Sequence, residues 1–123
     1  MFINQHLRVI GMNNRDFLSS LYDSGVRFSV SYESECGETT LFLSPDDLLL
    51  YQQNPELVIA QYSGCTVADF HNWKGEGFNV QCSAKTRKGS RCKNVVTGGH
   101  MVDLKTWASL SGHYCEIHEN GHI

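Results

Sequence analysis

Cys82-Ser83-Ala84-Lys85-Thr86-Arg87-Lys88-Gly89-Ser90-Arg91-Cys92, followed after 22 intervening residues by Cys115-Glu116-Ile117-His118, decides how the C-terminal part of this chain is read. Three thiols and an imidazole make a closed tetrahedral donor set of the kind that holds structural zinc. Soft sulfur ligands disfavour calcium and magnesium, and four protein ligands leave no position for water. Lys88-Gly89 is a turn signal that folds the loop back and brings the first two sulfurs together, while the short step from Cys115 to His118 keeps both on one side of a turn or helix start. The expected site is Cys82, Cys92, Cys115 and His118 around a structural Zn2+, with His113 and His100 as alternatives for the fourth ligand. Buried reduced cysteines without metal are the competing reading. That reading fits less well, because a polar, glycine-rich segment of this length has little reason to fold without a staple.

Outward from this motif, the chain has 123 residues, five Cys, six His and a net charge of -3. That length fits one modest domain, or one domain with a metal-held appendage, and excludes large multidomain enzymes and repeat arrays. No run approaches the ~20 apolar residues of a membrane-spanning helix, and Met1-Phe2-Ile3-Asn4-Gln5-His6-Leu7-Arg8 lacks the order of a signal peptide. A cytoplasmic chain with no membrane association is expected, in which five cysteines are reduced thiols or ligands and not a disulfide framework. The mild net charge conceals a division. Residues 1–73 carry three arginines against nine acids, a balance of -6, whereas residues 74–123 carry seven Lys or Arg against four acids, a balance of +3. Five of the ten basic residues, Lys85, Arg87, Lys88, Arg91 and Lys93, lie within nine positions. The expected organisation is an acidic body over 1–73 and a basic zinc-binding module over 74–123, each with a different partner face.

The body reads as α+β. Phe2–Ile10 is a weak strand candidate. Asn13 or Asn14 caps a helix from Arg15 to about Ser24, with Phe17, Leu18, Leu21 and Tyr22 on one face and Gly25 as the left-handed stop. Val26, Phe28, Val30 and Tyr32 alternate with polar residues, and Glu35-Cys36-Gly37-Glu38 turns this strand into Thr39–Leu43, an antiparallel hairpin. Ser44-Pro45-Asp46-Asp47 starts a helix that runs to Gln53. Asn54-Pro55 starts another, which ends near Tyr62 at Gly64, and Thr66 with Asp69 forms a capping-box-like start for a third through Phe70 and Trp73. Gly75 and Gly77 close the body. The fold class expected is α+β: a hairpin with several short helices and a C-terminal zinc-stapled module.

The segments Gln81–Asn94 and Tyr114–His118 resemble a zinc motif of small uncharacterised bacterial and bacteriophage proteins: Cys, a Thr-basic-basic-Gly turn, Cys, and a closing Tyr-Cys-x-x-His. The resemblance implies a bound zinc ion and a phage or mobile-element setting, and implies no reaction. This chain departs from the shorter forms of the pattern over Val95–Ser111, where Gly98-Gly99-His100 and the amphipathic run Met101, Leu104, Trp107, Ala108 are inserted.

These residues bear three functional readings. A small metal-dependent nuclease would cast His100, His113 and Asp103 as general base or acid, but a filled shell and the absence of H-E-x-x-H, paired-carboxylate or P-loop motifs argue against an enzyme. A DNA/RNA-binding regulatory protein would use Lys85, Arg87, Lys88, Arg91 and Lys93 against phosphates. Ile59–Trp73 also resembles a helix-turn-helix, but it sits in the acidic half, so two packed helices with a glycine stop are the simpler reading. In the phage or mobile-element setting that the resemblance implies, the preferred expectation is a protein that acts by binding, inhibiting a host defence nucleoprotein complex as anti-CRISPR proteins do. Its acidic partner face would be Glu33, Glu35, Glu38, Asp46 and Asp47.

Overall fold

Short helices in water are marginal without end signals, and this chain supplies them at almost every boundary. The computed structural model describes residues 13–119. Within them the order is α1 (Asn14–Asp23), β1 (Phe28–Ser34), β2 (Gly37–Leu43), α2 (Pro45–Gln53), α3 (Pro55–Tyr62), α4 (Val67–Gly75) and α5 (Leu104–Leu110). The strand anticipated at Phe2–Ile10 lies outside the described residues. The fold is α+β: a two-stranded antiparallel hairpin, five helices among the described residues, and a C-terminal Cys3His cluster.

Each helix starts on the residue type its first turn requires. Side chains of Asn13, Ser44, Asn54, Thr66 and Asp103 each accept from the backbone N–H three residues on, replacing a bond that the helix itself cannot supply. Thr66 and Asp69 close a full capping box. Three helices end alike. After α1, α3 and α4 a glycine at positive φ (Gly25, Gly64 and Gly77) is followed by a residue whose N–H reaches back to the carbonyl of Leu21, Ala60 or Trp73, the double closure of a Schellman motif.

This ending accounts for a shift in the first strand. The alternation starting at Val26 predicts a strand from that residue, but β1 begins at Phe28. The Val26 N–H is spent on Leu21 O at 3.0 Å, and its side chain is 42% exposed. From Phe28 on, the register runs Phe28↔Leu43 to Ser34↔Gly37, with Glu35 and Cys36 as the loop. Met101, grouped by sequence with Leu104, Trp107 and Ala108, stands outside α5 at φ 50 and is exposed.

The principal core gathers Ile59, Ala60, Phe70 and Trp73 from α3 and α4 with Val80, Val96, Leu104 and Trp107 from beyond the change in charge near residue 74. One indole fastens the two halves and a second braces the C-terminal one. Trp73 Nε1 donates to Val102 O at 2.7 Å, and Trp107 Nε1 donates to Asn79 O at 2.9 Å. Phe78 holds φ 69, rare for a bulky residue, and its ring packs 4.7 Å from Trp73. A turn over Val96–Gly99 then sends the chain back, with Gly98 at φ 80 and Gly99 N–H on Val96 O at 2.8 Å. Gly99 is packed so tightly that a Cβ there would lie 2.8 Å from Val80 Cβ.

Gly99→Ala should therefore destabilise the protein by about 1–3 kcal/mol, the range for overpacking a filled core, read as a lowered denaturant midpoint. Asp103→Ala should cost about 1 kcal/mol through loss of the α5 cap. The Thr106 hydroxyl and backbone N–H hold the Asp103 carboxyl below its ordinary value. Its contribution is therefore complete above the unfolded carboxylate pKa and is lost as pH falls through the lower folded value. Acid titration of the wild type against Asp103→Ala should show the two stabilities converging at low pH.

Candidate metal centre

Two β-bridges build the stem of the site. Cys82 N–H donates to Asn94 O at 2.8 Å and Val96 N–H to Val80 O at 2.8 Å, pairing Gln81 with Val95. Cys92 N–H donates to Ala84 O at 2.7 Å and Thr86 N–H to Ser90 O at 2.6 Å, pairing Lys85 with Arg91. The predicted reversal at Lys88-Gly89 is present: Gly89 sits at φ 85 with its N–H on Thr86 O at 2.9 Å. The third and fourth members arrive on a turn in which His118 N–H donates to Cys115 O at 2.9 Å. Ser83 N–H to His113 O at 3.0 Å ties this turn to the stem.

The outcome is a convergent set. One donor atom from each of Cys82, Cys92, Cys115 and His118 lies within 4.8 Å of every other, with the three cysteines buried and His118 half-buried. Cys92 Sγ and Cys115 Sγ are 4.0 Å apart, and His118 Nδ1 is 3.4 Å from Cys115 Sγ and 3.7 Å from Cys82 Sγ. A tetrahedron with metal–sulfur bonds of ~2.3 Å has edges of about 3.8 Å, so these separations match a site that can hold one metal ion. The cysteines form an apolar cluster with Ala84, separate from the principal core. The group contains neither His113 nor His100; both are exposed.

Several groups already act on the sulfurs. Ala84 N–H donates to Cys82 Sγ at 3.4 Å and Asn94 N–H to Cys92 Sγ at 3.5 Å, each two residues after its cysteine. Asn94 Nδ2 reaches Cys115 Sγ at 3.6 Å. Burial pushes the Cys115 thiol up, but donation from Asn94 and His118 outweighs it and brings the thiol down to about 6. At Cys92 the Asn94 N–H pulls down, while burial and the neighbouring Cys82 and Cys115 sulfurs outweigh it and hold this thiol above its ordinary value. Three thiolates this close do not all ionise in a buried site unless a cation joins them. A divalent ion with three thiolates and a neutral imidazole leaves a charge of -1, which N–H···S donation spreads.

Arg91 belongs to this support. Its Nε donates to Cys82 O at 2.9 Å, its Nη2 to Gln81 O at 2.7 Å, and its Nη1 meets Glu76 Oε2 at 3.2 Å. Glu76 in turn accepts from Gln81 N–H, and Gln81 Nε2 donates to Cys92 O at 2.8 Å. Sequence reasoning placed Arg91 among partner contacts and passed over Asn94, Gln81 and Glu76. The one signal for Asn94 was its position two residues after a ligand cysteine, where a backbone N–H meets sulfur.

The other candidates are dispersed. Lys85, Arg87, Lys88 and Lys93 are exposed, with no ion pair among the described residues. Of the acids, Glu33 pairs with Lys74 at 2.9 Å, Asp46 with Arg15 at 2.6 Å, and Asp47 accepts from Tyr62 Oη at 2.7 Å. Glu35 and Glu38 have no such partner among the described residues, and Glu38 stands opposite Glu33 in the hairpin. In the helix-turn-helix-like stretch, Asp69 is committed to the α4 cap, His71 lies 3.3 Å from Glu56, and Lys74 is paired, while Phe70 and Trp73 are in the core. Asp103 caps α5 and is thereby engaged by Thr106.

No protein-family model, curated protein or solved structure matches this chain. No helix among the described residues is long and apolar enough to cross a membrane.

Purified protein should carry one zinc per chain, or take up one cobalt(II) with thiolate-to-metal absorption, and Cys82→Ser or Cys115→Ser should abolish this. Asn94→Ala should weaken metal affinity by roughly tenfold, the lower end for loss of a ligand-supporting hydrogen bond, measured by chelator competition. Because the cysteine cluster is separate from the principal core, chelation should expose the amides of 82–92 and 115–118 to hydrogen exchange while the Trp73 and Trp107 indole N–H groups stay protected.

Proposed function

We propose that this chain is a small zinc-stabilised protein that acts by binding and occupying a partner, without catalysing a reaction. The observation that supports this reading most is the donor set itself. Four protein donors converge on one point, three of them buried, so a zinc ion held there has no open position at which to activate water. The groups that a nuclease would need are otherwise placed: Asp103 is spent on a helix cap, and His100 and His113 lie outside the donor group. Zinc here is a structural staple.

The partner proposed is a host nucleoprotein complex in the bacterial cytoplasm. The resemblance of Gln81–Asn94 and Tyr114–His118 to a zinc motif of small bacterial and bacteriophage proteins supports a phage or mobile-element setting. In that setting small unarmed proteins act as inhibitors of host defence, in the manner of anti-CRISPR proteins. The charge pattern supports a two-signed surface. Glu35 and Glu38 at the hairpin tip, and Lys85, Arg87, Lys88 and Lys93 around the basic turn, have no ion-pair partner among the described residues, so the acids can meet a basic groove and the cations an anionic surface beside it. A DNA/RNA-binding regulator using that turn is the second reading, favoured by the exposure of its cations.

Affinity capture from host lysate with the zinc-loaded chain should recover subunits of a nucleic-acid-guided complex in near-stoichiometric amounts, and Glu35→Lys with Glu38→Lys should reduce that recovery. Recovery of no such complex would overturn the inhibitor reading. Metal-dependent cleavage of DNA or RNA that disappears with His113→Ala would overturn the non-catalytic one.

A further inference from the structure

The stem that holds the metal also presents a tip. Between Glu76 and Asp103 the chain contains no acidic residue and five basic ones. Arg91 is withdrawn into the support of the site, which leaves Lys85, Arg87, Lys88 and Lys93 exposed. Most other cations of the described residues are engaged: Arg15 and Lys74 in ion pairs, and Arg27 over the Tyr22 ring at 4.2 Å. This tip is thus the one place where several free cations lie close together among the described residues.

We infer that the tip Lys85–Ser90, with Lys93, grips the sugar–phosphate backbone of a nucleic acid without reading its bases. The inference deepens the binding reading and rests on it. Two features beyond charge carry it. First, the tip is preorganised. Thr86 N–H on Ser90 O, Gly89 N–H on Thr86 O and Ser90 N–H on Thr86 Oγ1 at 3.2 Å fix the turn, and a metal-donor cysteine anchors each strand of the stem. A loop already held in one conformation loses little freedom on binding, which favours affinity. Second, the turn leaves the N–H groups of Arg87 and Lys88 without an acceptor among the described residues, and exposed amides beside cations are common phosphate donors. The tip carries no aromatic ring for stacking and no Asn or Gln between Lys85 and Lys93 for base edges. Its exposed cations and unpaired amides therefore match phosphates, which every sequence presents alike.

Counterion release supplies the test. A 20-nucleotide RNA strand and a 20-base-pair DNA duplex should each bind the zinc-loaded chain, with log affinity falling linearly in log salt. Four phosphate contacts give a slope of roughly -3.6 on duplex and -2.8 on a single strand. Arg87→Ala with Lys88→Ala should reduce the magnitude of that slope by about half and weaken binding equally for unrelated sequences. Zinc content and thermal midpoint should be unchanged, since neither side chain touches the donor set. Failure of both probes to bind, a slope unmoved by the double variant, or preferential capture of a poly-glutamate peptide would overturn the inference, the last assigning the tip to an acidic protein surface. The two proposals fail separately. Host-complex capture that survives the double variant while nucleic-acid binding is absent leaves the binding reading and removes this one. Salt-dependent nucleic-acid binding with no complex captured removes the host-complex partner and leaves the tip as a phosphate-binding surface.

Discussion

The Trp73 indole, with no exposed surface, is the contact on which the arrangement of this chain depends. It sits at the end of α4, where the helix closes on Gly77 and Phe78, and its Nε1 donates to Val102 O across 29 residues of sequence. A buried aromatic whose polar atom is satisfied is costly to disturb, since truncating one leaves both a cavity and an orphaned carbonyl. Through it the acidic, helical stretch and the basic, cysteine-bearing stretch share a core, and Val80 and Val96 in that core are the footing from which the metal-donor stem rises.

The donor cluster is a second organising constraint, of a different kind. Apolar packing is non-directional and tolerates adjustment, whereas four donor atoms must meet one point to within a few tenths of an ångström. The chain brings them together with backbone hydrogen bonds, two bridges for Cys82 and Cys92 and one turn for Cys115 and His118, and with the Arg91 side chain clamping the carbonyls of Gln81 and Cys82. Such a support lets a metal ion add stability without requiring a large apolar core around it, consistent with the small cluster of three cysteines and Ala84.

Much of this was legible in the residues. The caps at Asn13, Ser44, Asn54 and Thr66, the glycine stops and the hairpin follow from local chemistry, because a helix end or a tight turn is satisfied by atoms only a few positions away. The four donors were legible for a related reason: their types and spacings restrict the metals they suit. What was not legible depended on distant partners. Val26 reads as strand until its N–H is seen closing α1, and Met101 reads as part of a helical face until its backbone turns left-handed. Arg91 is indistinguishable in sequence from its basic neighbours, yet its guanidinium meets three groups around the site while theirs stay in solvent.

Most local elements, the four converging side chains and the division of charge along the chain follow from residue type and short spacing. Which of those charges are free follows from tertiary packing. Glu33, Asp46 and Arg91 are matched by Lys74, Arg15 and Glu76 from remote positions, and Lys85, Arg87, Lys88 and Lys93 have no such match among the described residues. A charge becomes available to a partner when the fold brings it no counter-charge of its own, and that depends on proximity in space, which spacing along the chain does not specify.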